Sequence, residues 1–155
     1  MEPGSAAPSD ASVARILGAD GRPEGAGFRA GQREVITCAH VVATALGLPP
    51  DTRESPGGRL WIDFPLAERG TRVPARVGAW TPVRPDGSGD IAVLELLADP
   101  PAKAPVARLV EGAAGPDRRV RAFGFPQSYD DGRIDRSAGI YTHLDAQAHE
   151  QAVPG

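Results

Sequence analysis

Few residues in this chain have chemistry to offer. Among 155 residues there are three histidines and one cysteine. One of the histidines, His40, stands inside EVITCAHVVATAL (34–46), a β-branched run that passes through Cys38 into what reads as a turn of helix. An imidazole there has two explanations: a core histidine satisfied by backbone, or a general base at a strand end that small Ala39 leaves open to approach. A second motif, GDIAVL (89–94), puts the carboxylate of Asp90 at the mouth of an apolar strand. Burying that carboxylate is costly unless a donor meets it. An imidazole Nδ1–H is such a donor, and the pairing has a chemical consequence. It fixes the tautomer and orientation of the ring and stabilises the imidazolium formed when Nε2 takes a proton. Histidine followed by aspartate, each at a strand end, supplies two thirds of a nucleophilic triad.

The remaining candidates have simpler readings. Cys38 lies two residues from His40; with a tight turn between them their side chains are expected to diverge, so the thiol reads as a small buried hydrophobe and not as half of a Cys–His dyad. His143, Asp145 and His149 could be imagined around a metal, but they read as solvated residues of a polar tail. Asp86 shares a loop with Asp90, yet its place in PDG makes it a turn residue first. Trp61 and Trp80 read as barrel packing.

The elements that must position His40 and Asp90 are strands. Glycine (19) and proline (16) are abundant and aromatics make up only 5%, a balance that favours short strands and many turns. Strand patterns occur in SVARIL, in the hairpin AGFRAGQREVITCA, in RLWIDFPL with its period of two, in TRVPARVGAWTPV, in DIAVLELL, and downstream in APVARL, RRVRAFGF and GRIDRSAGIYTHLD. Proline 74 predicts an edge or a bulge in its strand, and DIAVLELL reads as a buried strand. The helical signal is VVATALG, stopped by Gly47 and by Pro49 and Pro50. An all-β barrel or sandwich follows. Residues 1–11 read as a disordered lead-in.

Composition removes several classes of function. The net charge of −3 is dispersed along the chain, which gives no surface for nucleic acid or an anionic membrane. One cysteine allows no intrachain disulfide and no Cys-x-x-Cys metal cluster. The start lacks a secretory n-region and h-region, and no segment reaches the ~20 apolar residues of a membrane span. A cytoplasmic protein is the expectation. Lys103 is the single lysine against many arginines, which reads as the coding bias of a GC-rich genome.

TCAHVV and GDIAVLEL resemble the histidine and aspartate motifs of the trypsin-like (chymotrypsin-fold) serine peptidases, in particular the bacterial branch without disulfides. The similarity spans residues 12–96, with GAGFRAGQREVITCAH its most specific part. It implies a six-stranded N-terminal barrel over 12–104 that carries His40 as general base and Asp90 as its orienter. An incomplete second barrel over 105–155 would begin near RRVRAFGFPQ. It also implies a peptide or protein as substrate, no cofactor, and no zymogen cleavage, since no Ile-Val-Gly-Gly terminus is present.

The departure from the family lies in the nucleophile. No Gly-x-Ser-Gly segment occurs in the chain, and the nearest imitation, DRSAG around Ser137, lacks the leading glycine. The expectation is a chain that stops before the serine motif and has negligible activity as it stands. Further domains or a partner chain would complete the second barrel. The alternative is a non-catalytic barrel kept as a scaffold or regulatory module of a larger protein.

Overall fold

A computed structural model describes residues 10–111, 119–125 and 140–145. A 3₁₀ turn at Asp10–Ser12 leads into β1 (Val13–Leu17), β2 (Pro23–Arg29) and β3 (Glu34–Thr37). A short helix, α1 (Ala39–Ala45), follows, and then β4 (Leu60–Phe64), β5 (Glu68–Val83) and β6 (Gly89–Leu96). These six strands close into an antiparallel barrel in the order β1-β2-β3-β6-β5-β4, with β4 returning to pair with β1. Closure leaves none of the six as an edge strand. Two further strands, β7 (Arg119–Gly124) and β8 (Ile140–Asp145), form a separate antiparallel pair.

Alternation along β1, β3, β5 and β6, with the mostly inward β4, builds the barrel interior, whereas β2 is half-buried throughout. Ala14 and Ile16 of β1, Val35 of β3, Leu60, Ile62 and Phe64 of β4, Val73 and Ala75 of β5, and Ala92, Leu94 and Leu96 of β6 are buried together. The larger of these side chains each contribute roughly 1.5–3 kcal/mol by leaving water. The helix adds Ala39, Val42 and Ala45 to the same core. It packs against β1, β2, β5 and β6, so its orientation depends on strands far apart in sequence.

Several expectations from the strand patterns need correcting. RLWIDFPL does form a strand, but its alternation fails at Asp63, which is only 3% exposed. Arg15, opposite Asp63 on β1, donates Nε–H and Nη2–H to its two oxygens at 2.9 and 2.6 Å. That paired guanidinium is what makes the burial tolerable. Trp61 faces outward at 41% exposure and is not barrel packing, because its neighbours Leu60 and Ile62 take the inward positions; Trp80 does pack against the core. In β6 the apolar run is buried on one face alone, leaving Ile91 52% exposed.

Pro74 neither interrupts β5 nor marks a bulge. It sits opposite Trp61, while on the other side Leu97 N–H donates to its carbonyl at 2.8 Å. Strand β6 ends at Leu96, opposite Ala75, so the donor that proline lacks falls just past the end of the ladder. The register shifts of β5 lie elsewhere, against β6 between Val77 and Trp80 and against β4 between Glu68 and Arg72. APVARL is not a strand; Pro105 has no donor to offer, and the segment attaches to β2 through Ala107 N–H donating to the Arg29 carbonyl at 2.8 Å. Of GRIDRSAGIYTHLD only 140–145 lie within the described residues, and there His143 and Asp145 belong to β8 and not to a polar tail. Among the described residues no helix is long and apolar enough to cross a membrane.

Candidate active site

The chain leaves β3 at Thr37, whose hydroxyl donates to the Ala26 carbonyl at 2.9 Å. Cys38 is the last extended residue, at φ −83° and ψ 142°, and serves as helix N-cap without a side-chain cap of its own. His40 is therefore the second residue of α1 and not the end of a strand. The helix closes after Ala45 around Gly47, where Leu48 N–H donates back to the Ala43 carbonyl at 2.8 Å. Thr44 Oγ1 donates to the His40 carbonyl at 2.8 Å.

Asp90 comes from the opposite direction, out of the β5–β6 connection. That turn closes with Arg84 N–H donating to the Ser88 carbonyl at 2.9 Å. Asp86 accepts from both the backbone N–H and the hydroxyl of Ser88, at 2.9 and 2.6 Å, and these bonds hold its carboxyl below the usual carboxylate range. The turn-residue reading of Asp86 therefore holds. Gly89 follows at φ +81°, where a Cβ would lie 2.4 Å from the Pro82 carbonyl oxygen. Asp90 is itself left-handed, at φ +62°, and is the one non-glycine residue of that kind among those described. Aspartate tolerates this conformation better than most residues, at a cost on the order of 1 kcal/mol. Two successive left-handed residues aim the carboxylate at the start of α1.

The two elements meet in a double contact. Asp90 Oδ1 accepts the backbone N–H of His40 at 2.9 Å, and Oδ2 lies 2.6 Å from His40 Nδ1. One carboxylate thus satisfies an otherwise orphaned N–H of the first helical turn and grips the ring. The His40 side chain remains 47% exposed and that of Asp90 21%. With Nδ1 committed to the carboxylate, the tautomer that leaves Nε2 free to accept a proton is favoured.

Cys38 departs most from expectation. It is exposed, and its Sγ, a ring nitrogen of His40 and a carboxylate oxygen of Asp90 all lie within 4.8 Å of one another. Divergence was the wrong expectation: residues two apart on a strand share a face, and here the change from extended to helical backbone after Cys38 also brings both side chains to Asp90. Partial burial of the sulfur, followed by the charge of Asp90, pushes the Cys38 thiol up. A thiol so placed stays protonated at neutral pH and is a poor nucleophile. Sequence reasoning missed this neighbour, although the TCAHV segment carries the signal: a helix beginning at Ala39 curls Cys38 toward His40. Ser137 and His149 lie outside the described residues.

A barrel of this topology, with histidine and aspartate joined across it, has a counterpart among known families. Residues 25–153 match the trypsin-like peptidase domain. The chain belongs to that family, and a peptidase-family function comes with it. No curated protein matches the chain.

Proposed function

We propose that this protein is a serine endopeptidase in which His40 acts as general base and Asp90 as the residue that positions it. The observation that carries the reading is the two-point hold of Asp90 on His40, at 2.9 Å to the backbone nitrogen and 2.6 Å to Nδ1. In the reaction His40 Nε2 takes the proton of a serine hydroxyl as the oxygen attacks the scissile carbonyl. It then returns that proton to the leaving amine, and water repeats the sequence on the acyl-enzyme. Asp90 stays ionised and stabilises the imidazolium at each step. Backbone N–H groups near the serine would hold the oxyanion.

The half-exposed ring is open to a substrate from solvent, and the substrate in this reading is a peptide or protein. Residues 12–104 would be the first barrel and 105–155 the start of the second. The chain has no Gly-x-Ser-Gly segment, so the test must also locate the attacking serine. Natural protein would be treated with a fluorophosphonate probe and the labelled residue mapped by mass spectrometry, alongside hydrolysis of a denatured protein substrate. Labelling and hydrolysis should both vanish in His40→Ala. A natural protein that takes no label and cuts no substrate would instead be a non-catalytic barrel.

A further inference from the structure

We propose that Cys38, His40 and Asp90 form a binding site for a borderline-soft divalent cation, zinc foremost, and that its occupancy switches off the His40–Asp90 pair. The donors are a sulfur, an imidazole nitrogen and a carboxylate oxygen, all within 4.8 Å of one another. Zinc binds this combination at about 2.0–2.3 Å, commonly with three protein ligands and a water in the fourth position. Small rotations of three side chains at the surface bring the donors to that spacing around one point. The exposure of Cys38 and of the His40 ring leaves solvent room for the fourth ligand. Hard cations such as magnesium require a shell of oxygens, which this set lacks.

Binding balances simply: the S–H bond of Cys38 breaks, its proton goes to water and the thiolate becomes the ligand, while no other covalent bond breaks and no oxidation state changes. The consequence for the pair does not depend on which ring nitrogen is used. A cation on Nδ1 displaces the proton shared with Asp90 to Nε2, which then has no lone pair to offer, and a cation on Nε2 occupies the lone pair that would accept the serine proton. Nothing in the pairing of His40 with Asp90 calls for a thiol beside it, whereas a switch of this kind does.

The switching half of the inference rests on the peptidase reading; the site itself does not. The full chain, reduced with a non-thiol reductant, would be titrated with cobalt(II) chloride, and the bound cobalt then displaced by zinc chloride. Cys38 is the sole cysteine of the sequence, so a thiolate-to-cobalt charge-transfer absorption can come from no other residue. The expected result is that band in the wild type, saturating at an equimolar ratio and lost on zinc addition. Cys38→Ser should lack it and bind zinc at least about tenfold more weakly, and Asp90→Asn should weaken zinc binding as well. Circular dichroism of each variant confirms folding. Absence of the band in folded wild type, or unchanged zinc affinity in folded Cys38→Ser, overturns the site. A band from a protein that hydrolyses nothing keeps the site and removes the peptidase reading. Hydrolysis that continues undiminished with zinc saturated removes the switch.

Discussion

Gly25 of β2 lies directly beneath Val41 of α1: a Cβ at position 25 would fall 2.7 Å from both γ-carbons of Val41. The helix that carries His40 therefore rests on bare strand backbone, and its distance from the barrel is set by a missing methyl group. Gly25→Ala should overpack this contact and cost about 1–3 kcal/mol in denaturant unfolding. It should also disturb the His40 Nδ1 proton resonance, because α1 must lift or Val41 must turn. Adding Val41→Ala should recover part of both losses. Strict additivity of the two substitutions would show that the contact does not set the helix position.

Asp90→Asn preserves size but replaces an acceptor-only group with an amide. The His40 ring should lose its tautomer preference, visible in nitrogen-15 shifts of Nδ1 and Nε2. Where an aspartate orients a catalytic histidine, this change lowers turnover by about 10⁴-fold. In a natural protein that carries the attacking serine, a comparable fall in peptide hydrolysis, with folding intact, is the expected result.

The Arg15–Asp63 pair is nearly closed to solvent, with side chains 17% and 5% exposed. Arg15 also lies over the ring of Phe125, 5.6 Å from its centroid, and so touches the chain just after β7. Asp63→Ala would take the paired carboxylate away from a mostly buried guanidinium and should cost about 3–5 kcal/mol. Replacing both partners with apolar residues, as Arg15→Met with Asp63→Leu, should be much milder. If the single and double variants unfold at the same denaturant concentration, the pair is not a coupled unit.

Cys38 supplies a prediction in pH. Its thiol is pushed up by partial burial and then by Asp90, so below the ordinary thiol range it stays protonated in the folded chain. Alkylation by iodoacetamide should therefore be slow at neutral pH although the residue is exposed, and should accelerate only at a pH above that at which the unfolded chain reacts. Asp90→Asn removes the second cause and should move the rate profile toward lower pH. Faster labelling of the folded than of the unfolded protein at neutral pH would contradict this sign.

Gly87, Ser88 and Gly89 lie between two carboxylates with different duties, and Asp86 reports on the turn. Ser88→Ala removes the hydroxyl that helps hold the Asp86 carboxyl low, so the Asp86 titration followed by NMR should move up toward the ordinary carboxylate value. With a lowered folded-state value, the stabilising contribution of Asp86 is present above the unfolded carboxylate pKa and fades as pH falls through the folded one.

The amino-acid order alone determined what rests on neighbours in the chain. Alternation marked β1 and β4, strand-forming runs between turn residues marked the other barrel strands, Pro-Asp-Gly marked the β5–β6 turn, and the motifs TCAHVV and GDIAVL singled out His40 and Asp90. These signals survive because side-chain alternation and turn chemistry are local properties of the backbone. Tertiary structure decided everything that depends on which strands lie side by side. Closure of β4 onto β1 let Asp63 sink inward against Arg15 and turned Trp61 out to solvent. The end of β6 made Pro74 harmless. The left-handed pair Gly89 and Asp90 delivered a carboxylate to the first turn of α1, and the extended-to-helical change at Cys38 brought its sulfur to the same place. No pattern within a strand encodes those meetings, because each depends on the geometry of barrel closure acting between residues far apart in sequence.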